Sequence, residues 1–184
     1  MEHPFKLIAL VGMPGAGKSV AAEFFRVKGI TILRFGDQTD ISLKELGLER
    51  NEKNERFVRE KLRKELGMAA MAIKIEPRIL DAAKEHTKIV LDGLYSWEEY
   101  LYLKKKFPQI KLLCIYASPR VRYDRLAHRP IRPLNQDEAR SRDFAELENL
   151  NKGGPIAIAD YLINNEDDKS SFQNELEQAY TKLL

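Results

Sequence analysis

Eight residues near the N-terminus, Gly12-Met13-Pro14-Gly15-Ala16-Gly17-Lys18-Ser19, satisfy G-x-x-x-x-G-K-[ST] at every constrained position. Those residue types at that spacing are expected to hold a nucleoside triphosphate. The glycines let consecutive backbone N–H groups turn inward around the phosphates, Lys18 reaches the β and γ oxygens, and the Ser19 hydroxyl can ligate Mg²⁺. The nucleotide-binding turn is read as Gly12, Pro14, Gly15, Ala16, Gly17, Lys18, Ser19 and Val20. A helix starting behind it adds a favourable dipole for the anion.

Further groups able to do chemistry stand just past apolar runs, where ligands gather in open parallel sheets. Ile30 to Arg34 is followed by Phe35-Gly36-Asp37, and Asp37 can accept a proton from a substrate hydroxyl, hold a Mg²⁺-bound water, or cap a helix. Ile89-Val90-Leu91-Asp92-Gly93 is an apolar run ending in an acid. Asp92 is read as the acid that holds Mg²⁺ directly or through water, with a turn aspartate before Gly93 as the alternative. Beyond Ser118-Pro119 come Arg120, Arg122, Arg125, Arg129, Arg132, Arg140 and Arg142. Arg125 and Arg129, four apart, would share a helical face. With Arg140 they are preferred as phosphate contacts, since phosphoryl transfer is catalysed mainly by positioning and charge neutralisation. His128 has no His or Cys partner at ligand spacing and reads as a surface residue.

Positioning these groups requires alternating strands and helices. Phe5 to Val11, Ile30 to Arg34, Lys88 to Leu91, Ile110 to Ala117 and Tyr161 to Ile163 are strand candidates separated by helical periodicity, the signature of an α/β fold with a parallel sheet. Lys18 to Lys28 reads as a helix with Val20, Ala21, Phe24, Phe25 and Val27 at helical spacing and Gly29 as its cap. Residues 41–84 contain no β-rich run and read as a flap of two or three helices. Phe57, Val58, Leu62 and Leu66 form an apolar stripe there, and Pro77 reads as the start of the last helix. The chain is expected to be one domain over 1–184, with a core of 1–40 and 85–184, the flap at 41–84, and a lid at about 128–138.

Composition agrees with a compact enzyme domain. The 184 residues suffice for a substantial core, and 43% hydrophobic with 32% charged residues describes a soluble chain. A net charge of +3 leaves no nucleic-acid footprint. Cys114, the only cysteine, lies in an apolar stretch and reads as a small buried residue. With no leader and no run of membrane-spanning length, a cytoplasmic location follows.

The chain resembles the dephospho-CoA-kinase-like branch of the nucleoside monophosphate kinase superfamily, and most closely its small archaeal-type kinase-like proteins. The likeness spans nearly the whole chain. It rests on Val11 to Ser19, Gly36-Asp37, Leu62-Arg63, Gly67-Met68, Leu91-Asp92-Gly93, Arg125-Leu126 with Arg129, and Arg142-Asp143 through Ala159-Asp160-Tyr161 to Asn164-Asn165-Glu166. The resemblance implies a three-layer P-loop fold with a five-stranded parallel sheet of order 2-3-1-4-5, an acceptor-binding helical flap and an arginine-rich lid. It further implies ATP with Mg²⁺ as donor, Asp37 as base, lid arginines on the transferring phosphoryl, and the loop of Asn164 and Asn165 near adenine. The acceptor would be a small phosphorylated molecule, with Arg59, Arg63, Arg78, Asp92 and Gly93 beside Asp37 in its site. A solvated helix face also explains Arg59. No nucleic-acid or membrane partner is implied, and the chain would be a monomer or weak homo-oligomer. Two departures touch the acceptor. Dephospho-CoA kinases usually carry Asp-x-Asp after strand two, where this chain has Gly36-Asp37-Gln38, and Tyr95 stands where monophosphate kinases often place an arginine. A regulatory nucleotide switch is the competing class, but Asn151-Lys152-Gly153-Gly154 lacks the acid of the guanine-reading motif.

Overall fold

The computed structural model describes residues 5–184, so residues 1–4 of the expected core lie outside the described residues. Five strands, β1 (Lys6–Val11), β2 (Thr31–Arg34), β3 (Lys88–Asp92), β4 (Lys111–Tyr116) and β5 (Tyr161–Asn164), form one parallel sheet in the order β2-β3-β1-β4-β5. Each lies within a residue or so of its sequence-based bounds.

Strand β1 shows why the sheet is buried on both faces. Its side chains alternate, so Leu7, Ala9 and Val11 enter one core while Ile8 and Leu10 enter the other. The first core is closed by Val58, Met71, Ile75, Ile79 and Leu103; the second by Ala21, Phe25, Phe172 and Leu176. Cys114 is fully buried in the first, as a small apolar residue would be.

The covering helices are α1 (Lys18–Val27), α2 (Gly36–Glu45), α3 (Glu52–Leu66), α4 (Ala70–Ala82), α5 (Trp97–Lys106), α6 (Pro119–Ala127), α7 (Gln136–Leu150), α8 (Gly153–Ala157) and α9 (Lys169–Leu183). Gly29, with φ 76°, caps α1 where the sequence placed a cap. Within α1 the buried residues are Ala21, Ala22 and Phe25, leaving Val20 and Val27 exposed.

Three expectations are corrected. The helical insert begins at Gly36 rather than residue 41, so Asp37 sits in the first turn of α2 and Phe35 holds the N-cap position. Pro77 does not start a helix; it lies inside α4, where its ring is exposed while Met71, Ala72, Ile75 and Ile79 bury the opposite stripe. That burial outweighs the one hydrogen bond proline removes. In α3 the buried face is Glu55, Val58 and Leu62, while Phe57 and Leu66 face solvent. Among the described residues no helix is long and apolar enough to cross a membrane.

Candidate active site

The turn between β1 and α1 is fixed by close approach of its backbone to a neighbouring strand and to the Asn165 side chain. Gly12 has φ 139°, and a Cβ there would fall 2.2 Å from the Ile115 carbonyl oxygen. A Cβ on Gly17, φ 110°, would fall 2.3 Å from Asn165 Nδ2. Only glycine fits either place. Two side chains from distant sequence brace the turn. Arg122 donates from Nη1 to the Pro14 carbonyl at 3.0 Å, from Nε to the Ala117 carbonyl at 3.0 Å, and forks onto both oxygens of Asp143 at 2.9 and 2.6 Å. Asn165 donates to the Ala16 carbonyl at 2.8 Å, while its own N–H reaches the Tyr116 carbonyl at 2.8 Å. Asn165 is therefore buried against the turn, and Asn164 is exposed at the end of β5.

Lys18 begins α1 and folds over the turn, donating to the carbonyls of Gly12 at 2.8 Å and Met13 at 3.0 Å. Burial, then the positive charge of Lys152, pulls its pKa down to about 7 against the opposing Glu146 and Asp92 carboxylates. Ser19 and Val20 are exposed on the first turn of α1.

At the carboxyl ends of β2 and β3 the structure brings two acids together between guanidinium groups. Asp37 accepts from Arg78 Nη2 at 3.1 Å and lies 3.8 Å from Arg34 Nη1, and Arg34 Nε lies 3.8 Å from Asp92. Burial pushes the half-buried Asp92 carboxyl up, and the Arg34 and Lys18 charges reverse this only in part. Arg78 thus serves as the partner of Asp37. With the Gln38 amide turned to suit its neighbours, Arg78 Nη1 also donates to Gln38 at 2.6 Å. Gly93, with φ 94°, carries the Tyr95 ring against it.

Beside these acids opens a cleft of about 510 Å³, lined by residues of the helical insert, the 128–135 turn and α7. Arg34, Arg59, Arg63, Arg132 and Arg142 all reach its wall. Glu55 organises one side, with Arg50 at 3.2 Å, Arg59 at 3.5 Å and Arg132 at 3.7 Å. Burial would raise its carboxyl, but the Arg50 hydrogen bond and the charges of Arg132, Arg50 and Arg59 hold it below the usual value. Arg63 forms no ion pair within 4.0 Å among the described residues. On the opposite side Glu146 accepts from Arg142 Nε at 3.0 Å and from the buried Lys152, whose Nζ stands 4.7 Å over the Tyr95 ring. On the floor, Glu99 accepts the N–H groups of Tyr95 at 2.8 Å and Ser96 at 3.2 Å; burial raises its pKa to about 7.

The arginines singled out from sequence divide. Helix α6 ends at Ala127, with Pro130 and Pro133 following, so Arg129 does not share a helical face with Arg125. Arg125 Nη1 is buried with no hydrogen-bond partner, an orphaned donor of the kind an anionic ligand satisfies. Arg129 donates from Nε to the Arg132 carbonyl, and burial, then the Arg142 and Arg132 charges, hold it below its usual pKa. Arg140 lies exposed over the Phe144 ring at 5.7 Å, away from the cleft. Its neighbour Arg142 reaches the cleft instead. Sequence reasoning named Arg122 and Arg142 among seven arginines without preferring them, and gave no role to Arg34, Glu146, Lys152 or Glu99; only Arg142 and Glu146, four apart on α7, offered a visible signal.

A family model described as AAA domain matches residues 8–146. A UPF0200 protein of Pyrococcus abyssi is 35% identical over 182 residues, covering 97% of this chain and 97% of the relative. Another, from Pyrococcus horikoshii, is 32% identical over 182 residues with the same coverage. The chain belongs to the UPF0200 family, in the AAA-domain group of P-loop proteins. Its place in that family agrees with the kinase-like branch the motifs resembled. Among solved structures, TT1252 from Thermus thermophilus matches this UPF0200 chain with a TM-score of 0.67 at 16% identity over 100% of both chains. A shikimate kinase from Bacteroides thetaiotaomicron matches with a TM-score of 0.60 at 16% identity, covering 96% of this chain and 97% of that one. At such identities the likeness is one of fold, and the fold is that of the P-loop kinases.

Proposed function

We propose that the chain catalyses ATP-dependent, Mg²⁺-assisted phosphoryl transfer to a small phosphorylated acceptor, such as dephospho-CoA or a (deoxy)nucleoside monophosphate. One observation carries this reading. The braced glycine turn opens at the same carboxyl end of the sheet as a cleft of about 510 Å³ walled by guanidinium groups, and Asp37 stands at that end. A nucleotide switch without an acceptor has no use for such a cleft.

The residues present fit a nucleoside triphosphate, and the oxygens of Ser19 and Asp92 are donors of the kind Mg²⁺ takes. The positive-φ glycines leave a cradle that side chains would fill, and Arg125 Nη1 lacks a partner that phosphate oxygens supply. Mg²⁺ would be held by the Ser19 hydroxyl and by Asp92, and when bound it neutralises charge on the phosphate oxygens. Lys18 exchanges the Gly12 and Met13 carbonyls for phosphate oxygens. Asp37 takes the acceptor's hydroxyl proton, and Arg34 and Arg78 fix its orientation. Arg125, Arg129 and Arg142 stabilise the transferring group, Arg142 replacing Arg140 in that role. Arg59 and Arg63 take the acceptor's phosphate. In this reading 1–184 is one kinase domain, with the α2–α4 insert as acceptor flap and the 128–135 turn as lid.

The test incubates the purified protein with Mg-ATP and a panel of dephospho-CoA, ribonucleoside and deoxyribonucleoside monophosphates, measuring ADP above the blank. One acceptor is expected to respond, and Lys18→Ala should abolish the response, a barrier increase of several kcal/mol. A panel with no response, or full turnover by Lys18→Ala, refutes the reading.

A further inference from the structure

A lysine almost wholly removed from water is costly unless it performs a task, and Lys152 is 2% exposed. It stands between α7 and α8, with its ammonium on Glu146 and over the Tyr95 ring. Glu146 serves two cations. Lys152 bonds one carboxylate oxygen, and Arg142 bonds the other through Nε alone. Among the described residues nothing hydrogen-bonds the two outer nitrogens of Arg142, whose side chain is 44% exposed at the cleft wall. A lone carboxylate beside an arginine normally draws both arms of its fork into a bidentate pair. Here Lys152 occupies one oxygen, so the arginine is held by its root with its outer arms open. The group lies near the glycine turn: Lys152 stands over the Tyr95 ring, which packs against Gly93, and the preceding Asp92 pairs with Leu10 of β1, two residues before Gly12.

We infer that Lys152 is a positioning residue: by neutralising Glu146 from the buried side, it frees the outer nitrogens of Arg142 to meet the phosphoryl group in transfer. The inference rests on the phosphotransferase reading above. Without Lys152, Glu146 captures Arg142 bidentately and withdraws it from the cleft. Removing the Glu146 charge at the same time releases Arg142 again.

The test needs no knowledge of the acceptor. Magnesium–ADP binding is measured by calorimetry with and without aluminium fluoride, whose planar complex imitates a phosphoryl group in flight. The gain in affinity on adding fluoride isolates contacts to that group from contacts to the nucleotide. At pH 6, where Lys18 is charged with or without its neighbour, Lys152→Met should reduce the gain about tenfold while leaving affinity for magnesium–ADP alone within about threefold, the effect of one lost charge-assisted contact. Lys152→Met combined with Glu146→Gln should restore the gain to within about threefold of the parent value, and Lys152→Arg should largely retain it. An unchanged gain in Lys152→Met, or no recovery in the double variant at equal thermal stability, overturns the inference. Equal loss of ADP affinity and gain also overturns it, because that pattern belongs to a long-range field. Should Lys152→Met not fold, Glu146→Gln alone decides: an equal or larger gain supports the inference and a smaller one refutes it. A parent protein that ignores magnesium–ADP removes the phosphate-loop reading itself, whereas one that binds ADP without a fluoride gain removes only the transfer step and this inference.

Discussion

Lys18 should take up a proton when nucleotide binds. Its ammonium is held by two backbone carbonyls, and burial together with the Lys152 charge brings its pKa down to about 7. A magnesium-bound triphosphate replaces those carbonyls with ionised oxygens, which favour the charged amine and return its pKa toward 10.5 or above. With the free group titrating near 7, binding at pH 8 draws in roughly 0.9 proton, at pH 7 roughly 0.5, and at pH 6 roughly 0.1. Affinity is then flat below pH 6 and falls toward about tenfold per pH unit above pH 8, because the neutral amine must be protonated before it pairs. Calorimetry at pH 8 in two buffers of different ionisation enthalpy reads the uptake directly, as the slope of observed heat against that enthalpy. Lys18→Ala serves as the control and should show none of this slope. A heat independent of buffer at pH 8, together with pH-independent affinity between 6.5 and 8.5, would refute the argument that burial and Lys152 discharge this lysine before ligand arrives.

Asp37→Asn should lower kcat by roughly 10²–10⁴ while changing ATP affinity little, as loss of a general base requires, measured by steady-state kinetics with the responsive acceptor; comparable losses in both would instead mark Asp37 as a holder of the metal's water. Glu99→Gln should stabilise the protein at pH 8, by up to about 3 kcal/mol, and leave it little changed at pH 4. The Glu99 pKa is raised in the folded state, so the wild type loses stability as pH rises from 4.5 through about 7, and the amide does not. Urea unfolding midpoints across pH 4–8 read the difference, and parallel curves for the two proteins would contradict the burial argument.

The sheet was legible because it depends on short-range rules. A strand covered on both faces must be apolar throughout, and β1 is so from Leu7 to Val11, which both cores bury. The glycine turn between β1 and α1 was legible for a stricter reason. Gly12 and Gly17 occupy places where any Cβ strikes a neighbouring atom, so residue type reports geometry directly. Pro77 was misread because a local rule, proline at helix starts, competed with a tertiary one. Burial of Met71, Ala72, Ile75 and Ile79 carries α4 back to Ala70, and an exposed ring is tolerated inside it.

Helix α7 shows why the arginines resisted the same treatment. Its inward residues include Ala139, Asp143 and Glu146, two of them acids, so hydropathy gives no stripe by which to orient it. Without that orientation Arg140 and Arg142 look interchangeable, yet two residues along a helix turn about 200°, and they face opposite ways. Arg140 lies over Phe144 in solvent, and Arg142 reaches the cleft. The acids that hid the inward face are the ones that organise it: Asp143 anchors Arg122 against the glycine turn, and Glu146 holds Arg142 at the cleft wall and Lys152 behind it. An inward helix face made of charge is buried by ion pairs rather than by apolar packing, and there a reading of hydropathy fails because the pairing partners lie far away in sequence.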